Sequence, residues 1–111
     1  MSDRELLDFA AKAAGMTPPD GFHPTAGFVW IKATDGVRRE TRWNPLTDDG
    51  DALRLAATCH MVLDWSGSEL HVRFWLTQSP EAPTLTFKSS DCGGDKATIV
   101  RAAAEIGRAM P

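Results

Sequence analysis

The chain has 111 residues, of which 42% are hydrophobic and 24% charged. These values are typical of an ordinary globular domain, and the length predicts a single domain over residues 1–111. The net charge of −3 argues against a general nucleic-acid binder, because such proteins need a basic surface to displace counterions. The sequence shows neither an apolar run of membrane-spanning length nor an apolar signal core, so we expect a cytoplasmic protein without membrane contact.

The first predicted element is a helix over residues 3–14. Ser2 or Asp3 is placed to cap it, and Gly15 follows as a stop. Residues 16–26 hold three prolines and predict an irregular connector, in which His23 is interpreted as a surface histidine. The helix should bury one narrow apolar stripe, made of Leu6, Phe9, Ala10 and Ala13.

A hairpin is predicted next, with strands over residues 27–33 and 37–43. Asp35-Gly36 between them is a strong turn signal. This region holds the one basic cluster of the sequence, and we weigh two interpretations of it. The charges protect an edge strand from aggregation, or they form a patch for an anionic partner or a nucleotide phosphate. The cluster consists of Lys32, Arg38, Arg39 and Arg42.

The stretch over residues 43–59 predicts a strand end, a tight turn and a helix. Asn44-Pro45 breaks the strand, and the acids that follow can cap a helix and complement its dipole. The same acids resemble part of a cation-binding loop, but no glutamate follows at the spacing of an EF-hand, so no metal site is predicted. The acids are Asp48, Asp49 and Asp51, and the predicted buried face of the helix is Leu53, Ala56 and Ala57.

A second hairpin is predicted over residues 60–76, and a short strand over residues 84–89. Residues 90–96 predict a flexible segment with Asp95 as the cap of a last helix over residues 98–110. Alternation in the second hairpin puts Leu70, Val72, Phe74 and Leu76 on one face. The other face is expected to carry His71, Arg73 and Trp75, with Met61, Leu63 and Trp65 from the partner strand. The last helix should bury Ile99, Ala102, Ala103, Ile106 and Met110.

Three segments carry a resemblance to a known family. They are DRELLDFAAKAAG at residues 3–15, WNPLTDDGDALRLA at residues 43–56 and TIVRAAAEIGRAM at residues 98–110. Together they resemble the phage ABA sandwich domain family of small phage and prophage proteins. The resemblance implies an α/β/α sandwich and supplies no catalytic residues, since the function of that family is not established. Residues 60–95 depart from its pattern, so a feature specific to this chain is expected there.

The predicted fold class is α+β. We expect an antiparallel sheet of about five strands in the order α-ββ-α-βββ-α, and the resemblance implies helices on both of its faces. Cys59 and Cys92 are predicted to be free thiols, and the cysteines and histidines lack the spacing of a structural zinc site. No metal and no cofactor are therefore predicted.

The leading functional hypothesis is a phage or prophage accessory protein that binds a protein partner or itself, and is not an enzyme. One alternative is a sponge for a small anionic nucleotide, held between arginines and an aromatic ring. Another is a small hydrolase that uses Cys92 or Cys59 with a histidine. If the two hairpins lie side by side, the predicted binding surface is formed by Arg38, Arg42, His71, Arg73 and Trp75.

Overall fold

The computed structural model describes residues 2–17, 29–34, 37–77 and 84–110. Predictions for His23, for the Asp35-Gly36 turn and for residues 78–83 lie outside this part of the chain. The helices are α1 (Asp3–Ala13), α2 (Asp49–Thr58), α3 (Ser89–Cys92) and α4 (Asp95–Ala109). The strands are β1 (Met16–Thr17), β2 (Val29–Thr34), β3 (Val37–Arg42), β4 (Val62–Ser66), β5 (Glu69–Trp75) and β6 (Thr84–Lys88).

The described strands pair into two antiparallel sheets of three strands each. One has the order β1-β2-β3 and the other has the order β4-β5-β6. The mixed α and β character is therefore confirmed, whereas the predicted single sheet of about five strands is not. The two predicted hairpins are present as β2–β3 and β4–β5, but in the described residues no ladder joins one hairpin to the other.

Helix α1 begins with a reciprocal cap. The hydroxyl of Ser2 accepts a hydrogen bond from the Glu5 amide at 3.2 Å and donates one to the Glu5 carboxylate at 3.3 Å. The predicted stripe is only partly correct, because Ala10 is buried whereas Leu6 and Phe9 are half-buried. The buried face is rotated toward Leu7, Ala10 and Ala11.

Helix α2 follows the turn at Asn44-Pro45 as predicted, and Asp48 caps it by accepting a hydrogen bond from the Asp51 amide at 2.8 Å. The predicted buried face was wrong for two of its three residues. Leu53 is 53% exposed and Ala57 is exposed. Alanines on several sides of the helix leave the choice of face to tertiary packing, which buries Ala52, Leu55 and Ala56 instead.

The segment predicted to be flexible, residues 90–96, instead contains the end of α3 and the start of α4. Gly93, with φ +88°, ends α3, and Gly94, with φ +129°, is the N-cap of α4. Positive φ values of this kind favour glycine, which explains the pair. Asp95 lies in the first turn of α4, so its predicted role as the cap was wrong.

The core lies between the helices and one face of the β4–β5–β6 sheet. Helix α4 contacts α1, α2 and strand β5. Along α4, Ile99, Ala102 and Ala103 are buried as predicted, whereas Met110 is 38% exposed. The largest fully buried apolar side chains are Leu7, Leu55, Leu70, Val72, Phe74 and Val100.

Helix α4 crosses α1 at very short range near Gly107. A Cβ atom built at Gly107 would lie 1.9 Å from the Phe9 carbonyl oxygen, so only glycine fits there. Alanines on both helices are buried beside this crossing and allow the same close approach. None of the described helices is long and apolar enough to cross a membrane.

Candidate functional site

Strand β5 separates an apolar face of its sheet from a polar one. Leu70, Val72 and Phe74 are fully buried against the helices, which confirms that they share one face of the strand. The residues between them lie on the opposite side, because successive side chains of a strand alternate. We call this opposite side of the β4–β5–β6 sheet the outer face.

The register of the sheet defines which residues share the outer face. His71 lies opposite Asp64 of β4 and Lys88 of β6, and Arg73 lies opposite Val62 and Thr86. Arg73, Lys88 and Thr86 are exposed, so among the described residues no helix covers this side. The helices predicted on both faces are thus not confirmed for this sheet. The outer face consists of Val62, Asp64, Ser66, Glu69, His71, Arg73, Trp75, Thr84, Thr86 and Lys88.

Charges of both signs alternate across the outer face. The Arg73 guanidinium lies 3.9 Å from an Asp64 carboxylate oxygen, and His71 Nε2 lies 3.9 Å from a Glu69 carboxylate oxygen. Both pairs are long and at least a quarter exposed, and pairs of this kind contribute at most about 1 kcal/mol each to stability. Their groups therefore remain available to charges on another molecule.

Glu69 is the most firmly positioned of these acids. It accepts hydrogen bonds from both the amide and the hydroxyl of Ser90. The hydroxyl bond is the main reason why the pKa of Glu69 is lowered, with smaller effects from the Ser90 amide, His71 and Lys88. At the same corner the hydroxyl of Ser89 accepts a hydrogen bond from the Leu70 amide at 3.0 Å. Helix α3 thus holds the first residues of β5 in place.

The five residues predicted to form one binding surface belong to two different sheets, and their common surface stays a prediction. His71, Arg73 and Trp75 alternate along β5 in one sheet. Arg38 and Arg42 lie on β3 of the other sheet, opposite Ala33 and Val29 of β2. The surface was predicted on the condition that the two hairpins lie side by side, and the described ladders do not join them.

One correction concerns the partner strand β4. Leu63 lies opposite Val72 and Trp65 lies opposite Leu70, so both share the inner face of the sheet and do not accompany His71 and Arg73. Trp65 lies at the edge of that face, 55% exposed, and its indole nitrogen donates a hydrogen bond to Asp95 at 3.3 Å. Trp43, the last residue of the predicted strand over residues 37–43, is buried.

Trp75 lies at the end of β5, beside an apolar cleft of about 350 Å³. Cys59 and Ile106 also line this cleft, but His71 and Arg73 are not among its lining residues. Of the three outer-face residues predicted for the site, Trp75 borders this cleft, whereas His71 and Arg73 lie along the open surface of the sheet.

The catalytic and metal alternatives each require contacts between particular side chains. In the described part of the chain no hydrogen bond joins a cysteine to an imidazole, and no three acidic, histidine or cysteine side chains cluster around a metal position. The three acids of the central stretch each have their own contact. Asp48 caps α2, Asp51 accepts a hydrogen bond from the Asn44 amide, and Asp49 pairs with Lys96 at 2.8 Å.

The two free thiols should react at very different rates. Cys59 is buried, and this burial raises its pKa to about 11, so about one molecule in a thousand carries the thiolate at pH 8. Cys92 is half-buried and borders a second cleft. With a coloured disulfide reagent at pH 8, we expect one fast thiol, and a second that reacts at least about a hundredfold more slowly until the protein is unfolded. Cys92→Ser should remove the fast phase and Cys59→Ser should keep it, and two equally fast thiols would contradict this assignment.

Asp64, Glu69 and Lys88 of the outer face were not among the residues predicted for the binding surface. The two-residue turn at Gly67-Ser68 was the available signal, because it fixes Ser66 opposite Glu69 and hence the register of the whole hairpin. Comparison with known proteins adds no further residues, since no family model and no curated protein matches the chain.

Proposed function

We propose that this protein acts by binding a protein partner through the outer face of the β4–β5–β6 sheet, and not by catalysis. The observation that carries the proposal is an exposed sheet face on which Arg73 and Lys88 alternate with Asp64 and Glu69. A protein surface with a complementary pattern of charges would match such a face and be selected by it. The resemblance to phage ABA sandwich proteins supports an accessory role of a phage or prophage protein in the bacterial cytoplasm.

The charge pattern favours a protein partner over a small anionic nucleotide. Asp64 and Glu69 lie beside Arg73 and His71, and a phosphate group bound there would meet carboxylates as well as cations. A nucleotide site is also expected to be concave, whereas these residues lie along the surface of a sheet. The sponge therefore remains the second candidate.

The test is affinity capture from a bacterial lysate with charge-reversed variants. Arg73→Glu should reduce retention of the specific partner about tenfold or more, because it places a carboxylate where the partner presents one. Arg73 is exposed and its pair with Asp64 is long, so we expect the variant to fold. Arg54→Glu on α2 is the matched control, since its side chain is 72% exposed and α2 packs against α4, on the other side of the sheet from the outer face.

A protein retained by the wild type and by Arg54→Glu, and lost with Arg73→Glu, would support the proposal. Equal retention by all three would contradict it. The nucleotide alternative predicts a rise in the unfolding midpoint with nucleotides or cyclic dinucleotides that disappears in Arg73→Ala. Self-association through the same face predicts a dimer in sedimentation velocity that Arg73→Glu dissociates.

A further inference from the structure

A second cleft, of about 390 Å³, opens on the helical side of the molecule. It is bordered by the start of α1, the turn before α2, strand β6, and one face of α4. We call it the Arg101 cleft. Phe87 of β6 lines it, whereas its neighbours Thr86 and Lys88 belong to the outer face, so the cleft and the outer face are separate surfaces. The volume lies within the range of small-molecule sites, about 300–1,000 Å³.

One part of the cleft is apolar. Leu6, Leu46 and Phe87 line it, and each is a partly buried side chain that packs against the core. These three residues come from three different elements, so the fold brings the apolar surface together. An apolar body that covered them would be removed from water, which is favourable.

The other part carries charges from α4. Arg101 and Arg108 lie seven residues apart, which is two helical turns, and Glu105 lies between them. Glu105 pairs with Arg108 at 3.0 Å. Arg101 is exposed, and within the described residues it has no hydrogen bond or ion pair. Arg101 is therefore the guanidinium in this cleft that is free to bind an anion.

The combination points to one class of ligand. We propose that the Arg101 cleft binds a small organic monocarboxylate with an apolar body. The planar guanidinium of Arg101 suits a carboxylate, with which it forms two parallel hydrogen bonds. The apolar body lies over Leu6, Leu46 and Phe87. Glu105 and Asp3 also line the cleft, and their negative charges select against a second anionic group on the ligand.

Titration with octanoate, followed by the backbone amide signals of the ¹⁵N-labelled full chain, tests this site. We expect saturable shifts at Phe87 and around Arg101, with a dissociation constant of about 0.1–1 mM. Octylammonium has the same apolar chain and the opposite charge, and should bind at least about tenfold more weakly. Arg101→Met keeps most of the side-chain length without the charge, and should weaken octanoate binding about tenfold. Arg54→Met, at an exposed position on α2, should leave it unchanged.

Cys92 gives an independent measurement, because it also lines the Arg101 cleft. Octanoate should slow the reaction of this thiol with the disulfide reagent in the wild type, and should slow it less in Arg101→Met. The proposal would be overturned by the absence of octanoate binding up to about 10 mM. Equal affinity for octylammonium, or an unchanged affinity in folded Arg101→Met, would overturn it as well. None of these measurements involves the outer face. Their outcome therefore tests the cleft alone and is independent of the proposed protein partner.

Discussion

Replacing Gly107 with alanine is expected to destabilise the protein by about 2–4 kcal/mol. The added Cβ would lie 1.9 Å from the Phe9 carbonyl oxygen and 2.7 Å from the carbonyl carbon. Both atoms belong to the backbone of α1, so the clash is relieved only if the two helices move apart. That movement loosens the contacts of the alanines buried at the crossing. Urea unfolding followed by circular dichroism measures the loss.

The sign of this effect is diagnostic. Inside a helix, glycine to alanine normally stabilises by up to about 1 kcal/mol. Gly50→Ala in α2 is the matched control, because its new Cβ would meet the mobile end of Arg54 and the carboxylate of Asp48, each at 3.2 Å. We expect the control to stay within about 1 kcal/mol of the wild type. A Gly107→Ala protein as stable as the wild type would show that α1 and α4 do not cross at this distance.

Phe74→Ala should cost about 3–5 kcal/mol in the free energy of unfolding. The Phe74 ring is fully buried and contacts the Phe87 ring edge-to-face, with centroids 4.9 Å apart and an angle of 63° between planes. Alanine would leave a cavity between β5, β6 and the helices that its neighbours fill only in part. The loss is read from the same urea unfolding experiment.

The control for Phe74 lies on the other side of the same sheet. Thr86 is exposed on the outer face opposite Arg73, and Thr86→Ala should change stability by no more than about 1 kcal/mol. A large loss for Thr86→Ala together with a small one for Phe74→Ala would invert the assignment of the two faces. His71 and Arg73 would then face the core, and the proposed binding surface would not exist.

Local sequence patterns were sufficient to predict which residues share a face where one side of an element is clearly apolar. The alternation of Leu70, Val72 and Phe74 predicted that these residues share one face of β5, and the acids after Pro45 predicted the cap of α2. These patterns did not predict the correct face where both sides of an element carry apolar residues. Val62 and Leu63 are adjacent in β4, and shifting the pattern by one residue moves a whole strand to the other face. The glycine pair at 93 and 94 suggested flexibility, but it joins two helices.

The predicted site depended on a long-range property that no local pattern contains. Arg38 and His71 could share a surface only if the two hairpins became neighbours, and in the described residues their strands pair into separate sheets. The prediction that His71, Arg73 and Trp75 lie on one side of β5 required only that side chains alternate along a single strand. Arg101 is exposed on α4, but the cleft beside it is formed by residues from distant parts of the chain.

The crossing of α1 and α4 also bears on how the protein is made. These two helices are far apart in the sequence but in contact in the structure. Lys12 donates a hydrogen bond to the carbonyl of Met110, 98 positions further along the chain, at 3.0 Å. During synthesis on the ribosome, the buried face of α1 therefore lacks its main contact surface until α4 has been synthesised. That face consists of Leu7, Ala10 and Ala11. Folding of the core is thus expected to be completed only after α4 has left the exit tunnel. Until then the nascent chain exposes apolar surface of the kind that chaperones bind.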